Sequence, residues 1–563
     1  MIKFLGFAPD LDATTPGIIT DCTNLSPTIN GIKGAASGND VGMDALAASP
    51  LAATVLIKLD LSNRLFAGTT TKLYEKSGTT WVDRSRTTAA TATMTIAAPA
   101  VVTWTAHGLL AGTTVIFTTT GALPTGVVSA TTYYVISAGL SANEFQFSAT
   151  SGGAAITTSG SQSGTHTATG VTPAYGAGLT YPWRFAQFGN TSLAVSKDNV
   201  LQSSSSGAFA NLTAPKANVI CVSNGFVLLG NTSDATYGDT TNRWWCSALY
   251  DETDWVPNIS TQCTTGQLVD TPGPITGMKP LGQYVVLYKE KSLYLGSYSG
   301  PPGVWDFQLL DSEIGCASHD AIADIESAHI FIGASDFYRF DGQRPIAIGS
   351  PLRKWFFNDL DPQYISRVKS SVDSVNSLVY FNYPRIGSVG LLTGCVIYNY
   401  KTQGWGVAHR SILASLDYVT GGYTWNTLPI TTWDSWPSVE YDSSFWTNYS
   451  SNPAFFKGDF KVYSLTGGPE ASSFTTGSYG AESRLSTMRR VTLRYLKTPE
   501  TATMTNYYQD RHGGVWTDGV TTTESNGRFD VLKSAPWHKV KFSFTGDYEL
   551  SSVTAEISDG GVV

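Results

Sequence analysis

Short apolar or alternating runs, each bounded by Gly, Asn, Ser or Asp, recur from end to end of this chain. Apolar residues at the i, i+3, i+4, i+7 spacing of a helix are nearly absent, so the pattern predicts an all-β protein. The runs also fall into units. In the first, residues 59–81, an apolar strand leads through the turn Ser62-Asn63 to Leu65-Phe66-Ala67, then to Lys72-Leu73-Tyr74 and a trailing Trp81. Comparable units start near Arg184, Val219, Gly282, Ile330, Leu378 and Phe455. With Tyr74, Leu201, Cys246, Tyr294, Tyr338, Tyr398 and Tyr463 as markers, the successive separations are 127, 45, 48, 44, 60 and 65 residues. The cluster at 44–48 matches a four-stranded propeller blade, whose repeat is about 40–50 residues. A blade cannot bury both faces alone, so neighbours stack around a ring. The expectation is a β-propeller of six or seven blades; unrelated hairpins in a sandwich are the alternative for the same strands.

The one long separation has its own explanation. Between Thr87 and about Thr172 the sequence turns to Thr/Ala/Gly stretches, and removing roughly 82 residues there restores the repeat spacing. Residues 88–171 therefore read as a small β domain inserted in a blade connection, where exposed loops tolerate extra domains. Its strands are expected at 101–105, 113–118, 132–136, 145–147 and 165–169, with a turn-rich loop at 121–126. After Tyr463 the break Gly467-Gly468-Pro469 opens another β region. In it His538, Val540, Phe542 and Phe544 share one strand face, and Lys539, Lys541 and Ser543 the other. The expected organisation is 1–87, N-terminal segment and first blade; 88–171, inserted β domain; 172–466, remaining blades; and 467–563, a C-terminal β-sandwich-like domain.

Composition sharpens this picture. Only 14% of residues are charged while 12% are aromatic, with 15 Trp, against about 25% charged in an ordinary domain. The net charge of −8 lacks the basic surface of a general nucleic-acid binder. Cys22, Cys221, Cys246, Cys263, Cys316 and Cys395 form no CxxC, so neither a zinc ribbon nor a redox pair is indicated, and buried thiols of a reducing compartment are expected. No run of about 18 apolar residues is present, so no transmembrane helix is expected.

Candidate chemistry is sparse. Acidic clusters stand at Asp251/Glu252/Asp254, at Asp311/Glu313 and at Asp459, each in or beside an expected turn, where Asp ordinarily caps backbone N–H groups. Residues 77–81 faintly resemble the turn motif of sialidase blades, but the Asp expected there is missing. His107, His166, His319, His329, His409, His512 and His538 show no HxxxH or HExxH spacing. His319-Asp320 would point to opposite faces if on a strand. No GxSxG elbow or GxxxxGK[ST] loop occurs. No catalytic residue, metal or cofactor is assigned, and the chain is expected not to be an enzyme. Exposed Tyr and Trp could stack on sugars, although their repeat positions favour core packing.

The stretch 16–34, with Pro16-Gly17, Asp21, Asn24, Pro27 and Gly31, resembles the opening of the tail nozzle proteins of short-tailed, podovirus-type bacteriophages, also called tail tubular or packaged-DNA-stabilisation proteins. The later repeats and the segments Gly527-Arg528-Phe529-Asp530 and 537–542 fit the same family. The inserted segment is similar to a small β domain scattered through phage proteins, through Ala106-His107-Gly108-Leu109, 121–126, Tyr133-Tyr134-Val135 and Gly164-Thr165-His166. The resemblance implies a virion structural protein assembled in the host cytoplasm. It would form a homo-hexameric tube at the distal tail, joined to an adaptor or portal-proximal ring. Tail fibres or a needle would attach to it, and DNA would be retained and then ejected through its lumen without sequence-specific binding. A lumen poor in Lys and Arg would let DNA slide. Arg484, Arg489, Arg490 and Arg494 are expected in interface salt bridges or in solvent. A receptor- or glycan-binding tail protein is the alternative, followed by a propeller glycosidase.

Overall fold

Six four-stranded antiparallel sheets give the chain a six-blade β-propeller arrangement, and the fold is all-β as the alternation predicts. The computed structural model describes residues 2–170, 175–419, 451–481, 484–511 and 514–562. These divide into two compact units, Pro50–Gly266 and Met1–Ser49 with Gln267–Val563.

The Pro50–Gly266 unit holds three blades. The first comprises Ala52–Ile57, Asn63–Gly68, Leu73–Ser77 and Thr80–Asp83; the second starts at Arg184–Phe188 and the third at Lys216–Ser223. The expected start at Leu59 is corrected. Leu59 and Leu61 lie exposed in the first turn, where the Asp60 carboxylate accepts from the Ser62 N–H (2.9 Å) and hydroxyl (2.6 Å), and the apolar strand is the earlier Ala52–Ile57. Apolar faces stack between blades, as where Phe66 meets Phe185 at 6.2 Å and Phe209 at 5.2 Å.

Cationic groups reinforce these seams. Arg64 of the first blade reaches Ser204 in the second, donating to its carbonyl (3.0 Å) and hydroxyl (3.1 Å) while paired with Glu75. From the second blade, Lys197 donates to Asn231 and Asp239 of the third, both at 2.7 Å.

Between the first and second blades six strands, from Thr88–Met94 to His166–Gly170, close a barrel. Its first and last strands pair with each other, Thr88 opposite Gly170, so the chain enters and leaves side by side. Val102, Val115, Phe117, Val135, Phe145 and Phe147 fill the interior as a separate core. Thr132–Ile136 lies where the alternation placed it, whereas the opening strand Thr88–Met94 was absent from the expected set. The junction at 171–174 lies outside the described residues.

In the other unit, blades begin at Ile275–Leu281, Ile322–Asp324 and Ala414–Val419. Between the last two runs a further four-stranded meander, Lys369–Asp373, Leu378–Pro384, Leu392–Asn399 and Trp405–Ile412. Its outer strand continues through Leu25–Pro27 and Ile32–Gly34 into the C-terminal strands Glu549–Val562, Arg484–Lys497 and Arg528–Ala535. A second, seven-stranded sheet contains Ile18–Thr23, Ser472–Thr476, Trp537–Thr545, Thr501–Gln509 and Thr517–Thr523. The two large sheets pack face to face through Met488, Val491, Phe529, Val540 and Phe542, with the Phe529 and Phe542 rings edge to face at 5.5 Å.

Two expected boundaries are corrected here. The N-terminal segment does not belong with the first blade, because Ala36–Asp40 pairs with Val462–Pro469 and completes the last blade. The line at 466/467 cuts that same strand: the Gly467-Gly468 step is a register shift inside it, not a domain break. Two glycines of the opening motif stand where backbones touch. Gly31 runs so close to the last strand that a Cβ there would lie 1.9 Å from the Leu550 carbonyl oxygen, and Gly17, at φ +83°, would meet the Lys3 carbonyl oxygen at 2.1 Å.

Candidate functional surfaces

The acidic clusters are occupied by their own turns. Asp251 accepts from the Thr253 N–H (2.8 Å) and hydroxyl (2.6 Å), and Asp254 from the Val256 N–H at 3.0 Å. Asp311 accepts from the N–H groups of Glu313 and Ile314, both at 2.8 Å. Asp459 accepts from the Lys461 N–H (3.2 Å) and the Tyr463 hydroxyl (2.7 Å). The bonds to Thr253 hold Asp251 below the ordinary carboxylate range. For Asp459 desolvation opposes the shift, and the bonds from Tyr463 and Lys461 carry the carboxyl below that range. A general acid needs the reverse, a carboxyl held protonated near neutrality.

Five of the seven histidines serve the framework. His329 is wholly buried, its Nδ1 against the Tyr288 hydroxyl and its Nε2 against the Pro280 carbonyl, both at 2.8 Å; burial lowers its pKa. His107 Nδ1 accepts from the Leu109 N–H inside the barrel, and His166 bridges Thr119 and Gln162. His319 and Asp320 lie in the 3-10 turn His319–Ala321 rather than on a strand, and the His319 Nδ1 accepts from the Met278 N–H. His538 faces the sandwich core and meets the Ser486 carbonyl at 3.1 Å. His409 is exposed, and His512 lies outside the described residues. Among the described residues no three His, Cys, Asp or Glu side chains gather as a metal site requires. Nor is any helix there long and apolar enough to cross a membrane.

The arginine group is spread along Arg484–Lys497. Arg490 pairs with Asp530 at 2.8 Å and lies 3.9 Å from Glu556, while Arg484, Arg489 and Arg494 are exposed. Two charged residues that no motif marks, Lys279 and Asp417, stand on Ile275–Leu281 and Ala414–Val419. Asp417, on Ala414–Val419, keeps solvent access yet has protein on nearly every side, and this desolvation pushes its carboxyl up to about 6 against the opposing charge of Lys279. Nothing in the sequence marks Asp417, because its surroundings come from strands far away along the chain.

All six thiols are buried, and desolvation raises the pKa of Cys22 and Cys395 and carries Cys246, Cys263 and Cys316 to about 12, which makes these five poor nucleophiles.

No family model matches this chain, and no curated protein matches it. Among solved structures it is similar to PorZ, a surface component of the type-IX secretion system of Porphyromonas gingivalis, at TM-score 0.28 and 11% identity over 65% of this chain; the match spans 39% of the PorZ chain. AztD from Citrobacter koseri aligns at TM-score 0.27 and 9% identity over 69% of this chain and 97% of its own. An exo-β-1,3-galactanase from Phanerochaete chrysosporium aligns at TM-score 0.21 and 8% identity, over 66% and 95%. These likenesses concern architecture and extend to nothing of those proteins' chemistry.

Proposed function

We propose that this propeller protein is a non-enzymatic structural component of a short-tailed bacteriophage virion, the hexameric nozzle at the distal end of the tail. In this reading it anchors fibres or a needle, joins an adaptor ring, and retains and then conducts DNA. The observation that carries the reading is the placement of the stretch 16–34, on which the resemblance to nozzle proteins rests. Its strands Ile18–Thr23, Leu25–Pro27 and Ile32–Gly34 are built into both sheets of the C-terminal sandwich, and its glycines stand where backbones touch. A motif spent on tying the two ends of a chain together suits a load-bearing wall. The non-enzymatic part is supported by carboxylates that cap turns and by histidines and thiols buried in the framework.

Closed rings grow from repeated head-to-tail contacts, so negative-stain microscopy of the purified chain tests the assembly. Six-fold rings are expected; trimeric spikes would favour a receptor-binding tail protein instead. Within a ring, a strongly basic inner wall would overturn the proposal of a lumen through which DNA slides. Release of reducing sugar from capsular polysaccharide would overturn the non-enzymatic reading.

A further inference from the structure

Three Asn-Gly steps occur in the chain, Asn30-Gly31, Asn224-Gly225 and Asn526-Gly527. They share a chemistry that needs no enzyme. The glycine amide nitrogen, unhindered by a side chain, attacks the asparagine Cγ. The N–Cγ bond forms, the Cγ–Nδ2 bond breaks, and ammonia leaves with the amide proton. Water then opens the cyclic imide at Cγ, giving aspartate, or at the main-chain carbonyl, giving isoaspartate. The sequence presents three equal sites, and the fold makes them unequal.

At Asn30 the nucleophile is tied. The Gly31 N–H donates to the Thr28 hydroxyl at 3.0 Å, the Gly31 carbonyl accepts from the Thr28 N–H at 2.8 Å, and a Cβ on Gly31 would strike the Leu550 carbonyl. Gly225 is roofed: the Tyr250 ring would lie 2.7 Å from a Cβ there, and the Tyr250 N–H donates to its carbonyl at 2.8 Å. Asn526-Gly527 is neither tied nor roofed. The two residues, at φ +52° and +75°, make the whole turn between Ser525 and Arg528, with the positive φ at both that a type I′ hairpin requires. Asn526 is exposed. Among the described residues the Gly527 N–H has no acceptor, and a Cβ on Gly527 would meet nothing within 4 Å. This turn joins the edge strands of the two large sheets, Thr517–Thr523 and Arg528–Ala535.

We propose that Asn526 is a self-modification site, converted to aspartate and isoaspartate ahead of Asn30 and Asn224. Isoaspartate routes the main chain through the side-chain carbon and lengthens the tightest of hairpin turns, where loop length fixes the register of the strands. Either product adds a negative charge close to Arg528, whose Nε lies 3.7 Å from Asp530. The inference goes beyond the nozzle reading and stands whether or not the chain forms rings.

Peptide mapping of the full chain by mass spectrometry, after increasing times at mildly alkaline pH, tests it, with electron-transfer fragmentation to separate aspartate from isoaspartate. Conversion is expected first at Asn526, with Asn30 roughly fivefold slower for the one hydrogen bond that attack must break. In urea the protection given by the fold is gone, and the three rates should converge. Asn526→Gly, which keeps a residue at ease with positive φ, should abolish the earliest acidic band in isoelectric focusing, and Asn526→Asp should start at the position of that band. Equal rates at the three sites of the folded chain overturn the proposal. So does earlier conversion at Asn30 or Asn224, and so does the same ranking in urea, since the sequence alone would then set it.

Discussion

A guanidinium only 7% exposed must have its N–H groups engaged, and Arg64 engages them across a blade boundary. Glu75 is 12% exposed; burial raises its pKa, but the hydrogen bonds and charges of Arg64 and Arg84 outweigh this and hold it low. Arg64→Met would leave that carboxylate with Arg84 alone. The expected loss is about 3 kcal/mol, the lower end for a broken buried pair, read as an earlier denaturation midpoint, and Arg64→Met with Glu75→Leu should recover much of it. Asp417 works in the opposite sense. Its folded-state pKa of about 6 lies above the ordinary 3.8, so folding favours the protonated form. That contribution is fully present below pH ~4 and is lost as pH rises through about 6. Asp417→Asn should therefore melt with the parent near pH 4 and above it beyond pH 7, by a margin that solvent access keeps small. A parallel pair of melting profiles would refute this. The sequence displays Asp417 only as a polar residue in an apolar strand; its meaning lies in what other strands bring to it.

Strands were the most legible elements, where one face is buried and the other wet. In Trp537–Thr545 the buried set His538, Val540, Phe542 and Phe544 is the one that alternation selects, and the outward Lys539, Lys541 and Ser543 complete the pattern. The repeat spacing led to six blades, but the unit expected at Leu378, with marker Tyr398, belongs to the ten-stranded sheet instead, and the first blade's opening strand was misplaced because Leu59 and Leu61 are turn residues with apolar side chains. Pairings between distant segments leave no local trace. Gly31→Ala tests one of them: the added methyl would overlap the Leu550 carbonyl oxygen, and a cost of about 1–3 kcal/mol is expected for such overpacking. Gly458→Ala, with nothing within 4 Å, should leave the melting temperature unchanged.

At the scale of the molecule, the barrel is the most separable part. It has a core of its own, and its terminal strands are partners, Thr88 beside Gly170, so the points of attachment lie about 5 Å apart. Replacing 88–170 with a short Gly-Ser linker should leave the β-type circular dichroism and melting midpoint of the remainder nearly unchanged. Residues 88–170 expressed alone should give dispersed amide resonances. Collapse of the remainder would show that the barrel supports the blades.

The ends of the chain meet in a way that orders events in time. Ile18–Thr23 hydrogen-bonds to Ser472–Thr476, and Ala36–Asp40 to Val462–Pro469. During synthesis these N-terminal strands leave the ribosome long before their partners exist. At about 5–20 residues per second they wait tens of seconds as unpaired edges, and contacts of such sequence separation close slowly even afterwards. Intermediate blades have only local partners and are free to form in the interval. The last step is then a latch, thrown once when both ends are available, and a nascent chain stalled before residue 462 would carry blades but no closure.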